Sequence, residues 1–185
     1  MKVLRGFPKL PALVRPAVTV GSFDGVHSGH RALLDRLVAE ARAEDGESVV
    51  VTFDPHPRVA LGRAEGLRLL TSLYEKIDLM AAAGVDAVVV VPFDREFSSL
   101  SGDAFVRDYL VAQLGARTLV VGYNHRFGHD RIVADRLRIP GLRVVWVDEC
   151  RVMGAHVSST TIRRLLDEGR TAEAERLLGH AMNEK

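Results

Sequence analysis

Residues 21–30 read GSFDGVHSGH, directly after the apolar run AVTV at 17–20 and just before a long amphipathic pattern. A plain strand-to-helix connection needs neither two histidines nor three glycines in ten residues. Gly21 and Gly25 allow a tight turn and close backbone approach where the strand ends. Gly29 stands at the mouth of the following helix, whose free N–H groups and positive dipole end attract an anion. His27 and His30 are three apart, so in a helix starting near residue 28 both rings face that mouth. An imidazole N–H there can bond a phosphate oxygen and follow the charge that builds up during phosphoryl or nucleotidyl transfer. The plainer alternative is that one histidine caps the helix and the other is solvated. The segment is not the dinucleotide fingerprint, a P-loop or H-E-x-x-H, and a zinc pair would want a third ligand.

Working outward, short β-branched runs alternate with helical patterns. The runs AVTVGSF (17–23), ESVVVTF (47–53), VDAVVVVPF (85–93), ARTLVVG (116–122) and LRVVWVDE (142–149) show little polar alternation. That is the pattern of parallel strands covered on both faces. Residues 30–45 put Leu33, Leu34, Leu37, Val38 and Ala41 on one stripe. Ser72 and Glu75 have capping-box spacing, and Gly84 stops the helix they begin. A serine start, an acidic first turn and a glycine end mark another helix at 101–115. The order predicts an α/β, Rossmann-like, doubly wound parallel sheet of about five strands, with helices on both faces and a C-terminal helical pair over 158–178. Ligands of such sheets sit beyond the carboxyl ends of the strands, where the strand order reverses.

A chain of 185 residues suits one such domain, and residues 1–185 are read as a single unit. The formal net charge of +1 supplies no global field for nucleic acid or an anionic membrane, so an anion must be held locally. Cys150 is the one cysteine, so no internal disulfide forms, as suits a reducing compartment. The N-terminal stretch MKVLRGFPKLPALVRPAV has scattered charges and three prolines, a poor signal peptide. No run reaches the roughly 18 apolar residues of a membrane helix. A cytoplasmic location follows as the expectation.

Two irregular stretches, 54–70 and 123–141, follow strands, where functional loops belong. In TFDPHP (52–57), Pro55 and Pro57 flank His56 and stiffen the loop, either as a bare turn or as the wall of a flat ligand site. In GYNHRFGHDR, Asn124 can donate and accept, which suits a ribose hydroxyl or a phosphate. Arg126, His129 and Arg131 are either phosphate contacts or a solvated rim. Ser158, Ser159, Thr160 and Thr161 are natural helix caps; with Arg163 one turn in, they also form a second helix-terminus anion site. Asp24 either orients a turn or sits near a ribose or a magnesium ion.

GSFDGVHSGH resembles the HxGH signature of the nucleotidylyltransferase superfamily, and its longer form resembles bacterial FAD synthetase. More narrowly, the chain is similar to the FMN adenylyltransferase module of the bifunctional riboflavin kinase/FAD synthetase family. The likeness continues through TFDPHP, TSLYEKIDLMAAAGVD (71–86), FDREFSSLSGDAFV (93–106), GYNHRFG (122–128) and VSSTTIRRLLDEG (157–169). It implies transfer of AMP from ATP to FMN, giving FAD and pyrophosphate, with Mg²⁺ carried mainly by the substrate phosphates. It implies that His27 and His30 contact the phosphates, with Gly21, Ser22, Phe23, Asp24, Gly29 and Ser158 around the nucleotide. Ser159, Thr160 and Arg163 are implied to hold the leaving pyrophosphate, and Asn124 to bridge phosphate and flavin. Phe53, Pro55, His56, Pro57, Asn124, His125 and Phe127 are implied at the flavin. The family's loop often carries phenylalanine where this chain has His125.

In the bifunctional family a β-barrel kinase follows the L-L-G near residue 179, whereas this chain stops at GHAMNEK. No riboflavin kinase activity is therefore expected of it, and a separate kinase, or a kinase domain absent from this chain, is the expected partner. Three alternatives remain: another acceptor such as nicotinamide mononucleotide or phosphopantetheine, a non-catalytic flavin- or nucleotide-binding module, and a nucleic-acid-binding domain. The last is disfavoured by the near-neutral charge.

Overall fold

The computed structural model describes residues 1–7 and 13–182. Parts of the proline-containing N-terminal stretch and of the C-terminal tail lie outside the described residues. Six strands form one parallel sheet: β1 (Lys2–Arg5), β2 (Ala17–Val20), β3 (Ser48–Asp54), β4 (Ala87–Pro92), β5 (Thr118–Gly122) and β6 (Arg143–Val147). Their order is β1-β4-β3-β2-β5-β6. The five expected strands are all present, each within a few residues of its apolar run. The sixth, β1, is an edge strand on β4 that carries Lys2 and Arg5 at its ends and is mostly exposed. Its place comes from hydrogen bonds to β4 rather than from an apolar run of its own.

Both faces of the sheet are covered. Val49 and Val51 of β3 join one core with Val18, Val89, Leu119 and Phe105. Val50 joins the other, with Val88, Val120 and the inward stripe of α1 (Ser28–Ala43), namely Leu33, Leu34, Leu37 and Ala41. Each such valine, leucine or phenylalanine side chain stabilises the fold by about 1.5–3 kcal/mol when fully buried. α3 (Leu73–Ala82) follows the short α2 (Pro57–Ala60) and starts in the expected capping box of Ser72 and Glu75.

Two local departures bear on the site. The helix expected over 101–115 begins as a three-residue turn, α5 (Gly102–Ala104), preceded by the short α4 (Arg95–Ser98). It then widens into π-helical turns over Phe105–Val111, where the Ala112 amide donates to the Arg107 carbonyl at 2.9 Å. A two-stranded hairpin, β7 (Arg151–Val152) with β8 (Ala155–His156), leads into α6 (Ser159–Asp167) and α7 (Thr171–Leu178). The hairpin has no signal in an apolar pattern. The helical pair forms a third cluster in which Ile162, Leu165 and Leu178 pack with Leu70. Among the described residues no helix is long and apolar enough to cross a membrane.

The sheet order reverses between β2 and β5, since β3 and β4 lie to one side of β2 and β6 beyond β5. The loops after β2 and β5 therefore meet at the switch point, which is where crevices form in such sheets.

Candidate active site

The loop after β2 has an unusual backbone. Phe23, Gly25 and Val26 have φ of 49°, 84° and 37°, a region disfavoured for side chains with a Cβ and most of all for branched ones. A Cβ on Gly25 would also lie 2.8 Å from Leu70 Cδ1, so glycine is required there on two counts. Asp24 holds this conformation. Its Oδ1 accepts from the amides of Leu70 at 2.9 Å and Thr71 at 3.1 Å, and its Oδ2 pairs with the Arg163 guanidinium. Its carbonyl accepts from Ser159 Oγ at 2.9 Å, and the Gly25 amide donates to Thr71 Oγ1 at 2.9 Å. His180 Nε2 lies 2.9 Å from the Gly25 carbonyl, so the tail beyond α7 reaches the same loop.

His27 caps α1: its Nδ1 accepts the His30 amide at 3.2 Å. The capping alternative is thus true of His27, and it leaves Nε2 as the atom carrying the proton of the neutral ring. The His27 and His30 rings stack with centroids 3.6 Å apart at 12°, and Phe23 closes on His30 at 4.9 Å. Burial pushes the His27 imidazole down to about 4, against a small opposing pull from Asp24. Burial and the neighbouring His27 and Lys76 charges hold His30 well below its ordinary range. Both rings are neutral at pH 7, and His30 Nδ1 is buried without a hydrogen-bond partner among the described residues.

Two cavities flank this loop. One, of about 360 Å³, has Ser22, Phe23, His27, Gly29, His30 and Asn124 in its wall, together with Tyr123, Asp148, Cys150 and Val157 among others. The other, of about 540 Å³, is apolar and aromatic: Phe53, Phe93, Phe97, Phe105 and Phe127 line it, five of the seven phenylalanines of the chain. Phe53 meets Phe93 edge to face at 5.1 Å. The loop after β5 closes this cavity through the Gly102 amide, which donates to Asp130 Oδ1 at 2.9 Å, and the His129 amide, which donates to the Leu100 carbonyl at 3.0 Å. Val20, Gly21 and His125 belong to both walls.

Several expected site residues fall elsewhere. Pro55 and His56 are outside both walls, because the His56 ring turns back to cap α2, its Nδ1 accepting from the Arg58 amide at 3.1 Å. Of the TFDPHP segment, Phe53 and Pro57 line the aromatic cavity. Asn124 lines the histidine cavity rather than the aromatic one. Asp24 is 2% exposed with both carboxylate oxygens engaged, so it anchors the loop and is not open to a ribose or a magnesium ion. Ser158 caps α6, Ser159 is held by the Asp24 carbonyl, and Arg163 also donates from Nε to the Arg68 carbonyl at 2.7 Å. Ser158, Ser159, Thr160 and Arg163 line neither cavity, although Val157 just before them does. Arg126, His129 and Arg131 surround the aromatic cavity as exposed residues.

Other wall residues escaped the sequence reading. Phe93, Phe97 and Phe105 were read only within the FDREFSSLSGDAFV likeness, with no role of their own. Lys76, which lines neither cavity, carried no signal either: it lies one turn from Met80 on the inward face of α3 and is 5% exposed. Burial lowers its pKa, opposed by the carboxylates of Asp24 and Asp54.

Comparison with known proteins decides the family. A model of the family described as FAD synthetase matches residues 11–161. The chain belongs to the FAD synthetase family. It is 37% identical over 188 residues to a bifunctional riboflavin kinase/FMN adenylyltransferase of Escherichia coli K12, covering 97% of this chain and 60% of that one. A putative bifunctional riboflavin kinase/FMN adenylyltransferase of Geobacillus thermodenitrificans is 39% identical, with 88% of each chain covered. Among solved structures, one described as a macrolide-efflux protein of Streptococcus pneumoniae superposes with a TM-score of 0.86 at 26% identity. That match covers 97% of this chain and 61% of the other. The domain described here thus spans about 60% of the length of the E. coli relative.

Two outcomes follow for this FAD synthetase fold. Asp24→Ala leaves the Arg163 charge, whose side chain is 15% exposed, without its partner. The expected loss is about 3–5 kcal/mol in urea denaturation. For His27, the folded-state value near 4 lies below the ordinary 6.5, so the unfolded chain binds the extra proton between them. Stability is then fully present above pH 6.5 and declines as pH falls towards 4, by about 1.4 kcal/mol per pH unit for one such group. His27→Asn keeps a capping side chain and should remove one proton's share of that slope; an unchanged slope contradicts the burial described.

Proposed function

We propose that this domain is an FMN adenylyltransferase, joining ATP and FMN to give FAD and pyrophosphate. The observation that carries the reading is the pair of cavities sharing one wall, the first aromatic and the second built on the His27–His30 stack at the α1 N-terminus. The aromatic cavity suits a flat tricyclic ring, and its volume lies within the range of small-molecule sites. The second suits phosphates, which helix N-termini and imidazole N–H groups hold.

In the proposed step an FMN phosphate oxygen attacks the α-phosphorus of ATP in line. One P–O bond forms, the bond to the bridging oxygen breaks, and pyrophosphate departs with that electron pair. The attacking oxygen is already ionised, so no side chain need act as a nucleophile. The chain's work is to position both phosphates and stabilise the charge between them. His27, with its proton on Nε2, donates to an α- or β-phosphate oxygen, and His30 lies against it. Neutral rings bind the resting triphosphate modestly and gain strength as charge shifts to the leaving group. Gly21, Ser22, Phe23 and Gly29 shape the turn under the nucleotide, and Asn124 bridges from the opposite loop.

For the outer phosphates, Thr160 is exposed at the α6 start. Arg163 and Ser159 reach them by exchanging a bond now made to Asp24 or Arg68. Mg²⁺ supplies charge neutralisation when it arrives on the nucleotide. The described residues contain no cluster of three or more His, Cys, Asp or Glu side chains that would cage it, and Asp148 puts one carboxylate in the phosphate cavity wall. FMN is the product of riboflavin phosphorylation, the other activity named for the relatives, so a riboflavin kinase is the expected supplier.

Incubation with FMN, ATP and Mg²⁺ should yield FAD and pyrophosphate in equal amounts by chromatography and phosphate assay. Release of pyrophosphate with nicotinamide mononucleotide or phosphopantetheine, but not with FMN, would point to a different acceptor. His27→Ala or His30→Ala should lower turnover by roughly two to three orders of magnitude with the fold kept. Near-normal FAD synthesis by either variant removes the role given to the pair.

A further inference from the structure

A flavin whose ring sits among Phe53, Phe93 and Phe105 must send its phosphate through the junction of the two cavities to reach the histidine pair. Three residues form that junction: Val20, Gly21 and His125. Val20 is apolar and Gly21 has no side chain, so His125 supplies the polar side chain there. We propose that the His125 imidazole hydrogen-bonds the phosphate of the flavin substrate and so makes the site prefer FMN to riboflavin, an inference that rests on FMN being the acceptor.

The ring is free to do this. Its backbone amide is spent on the Gly122 carbonyl at 3.0 Å, but neither ring nitrogen has a hydrogen-bond partner among the described residues. Phe127 packs on it at 4.3 Å and 58°, which holds its orientation. Burial keeps the imidazole neutral down to about pH 4, so near neutrality it offers one N–H donor and one acceptor. Arg126, His129 and Arg131 also carry N–H groups, but they line the aromatic cavity and not the phosphate cavity, so they do not share the junction. His125 is half-buried and lines both cavities with its ring nitrogens unpaired among the described residues. A phosphate oxygen would satisfy the ring, whereas the terminal hydroxyl of riboflavin brings no charge.

The test is titration of the intact chain, without ATP, by flavin fluorescence, with FMN and riboflavin as probes. The wild-type protein should bind FMN more tightly than riboflavin. His125→Phe should lose roughly ten- to a hundredfold in FMN affinity, the worth of a hydrogen bond to a charged group. It should change riboflavin affinity by less than about threefold. His125→Gln, which retains an N–H donor, should recover part of the loss. Equal weakening of FMN and riboflavin in both variants, or equal binding of the two flavins by the wild-type protein, overturns the proposal. Because the titration contains no ATP, a chain that prefers FMN through His125 but makes no FAD refutes adenylyl transfer and leaves this contact standing.

Discussion

The carboxylate of Asp24 is the point on which the rest of the site hangs. It joins three pieces of chain far apart in sequence: the loop after β2, the approach to α3 at Leu70 and Thr71, and α6 through Arg163. A loop with Phe23 and Val26 in left-handed backbone is costly by itself, at about 1–2 kcal/mol for each such residue. It persists because a buried, fully bonded anion on one side and the Leu70–Leu178 cluster on the other leave it no better shape. The strain has a use. It brings His27 round to cap α1, and capping through Nδ1 leaves Nε2 as the ring nitrogen free for a ligand.

Charge is managed locally throughout. The formal net charge is +1, so nothing in the bulk field gathers an anionic substrate. The histidine cavity instead presents neutral imidazoles at a helix N-terminus. The Arg163 cation, whose charge is felt at His27, is already bound to Asp24. Such a site offers directed donors rather than attraction, which matches a reaction whose difficulty lies in stabilising charge at the moment of transfer. The aromatic cavity performs the complementary task by shape. Its phenylalanines come from the end of β3, the segment around α4, the π-helical turn and the loop after β5, so the ring-shaped space exists only when four elements close together.

Much of the fold was legible because each inner strand is buried on both faces. Runs such as SVVVT can satisfy that demand only with uninterrupted β-branched residues, and such runs are visible to the eye. The edge strand β1 was not, because it is held by pairing with β4 and its side chains mostly face solvent. Capping at Ser72 was legible because it is local. Capping by His56 was not, since the same residue reads equally well as a ligand contact until its ring direction is known. The H-x-G-H spacing marked both histidines, but their neutrality comes from burial, helped at His30 by Lys76, and Phe23 closes on the stacked pair.

By itself, then, the order of residues determined the alternation of strands and helices, the position of the histidine loop at a strand end, and the family. All of these rest on neighbours within a few residues, or on apolar periodicity that any solvent-excluding fold must respect. Tertiary structure alone decided that Asp24 and Arg163 neutralise each other, that Pro55 and His56 stay outside the cavities, and that His125 stands where the two cavities meet. Those outcomes depend on groups separated by up to 139 positions competing for the same buried space. Only the packed sheet, with its order reversing between β2 and β5, brings the competitors together.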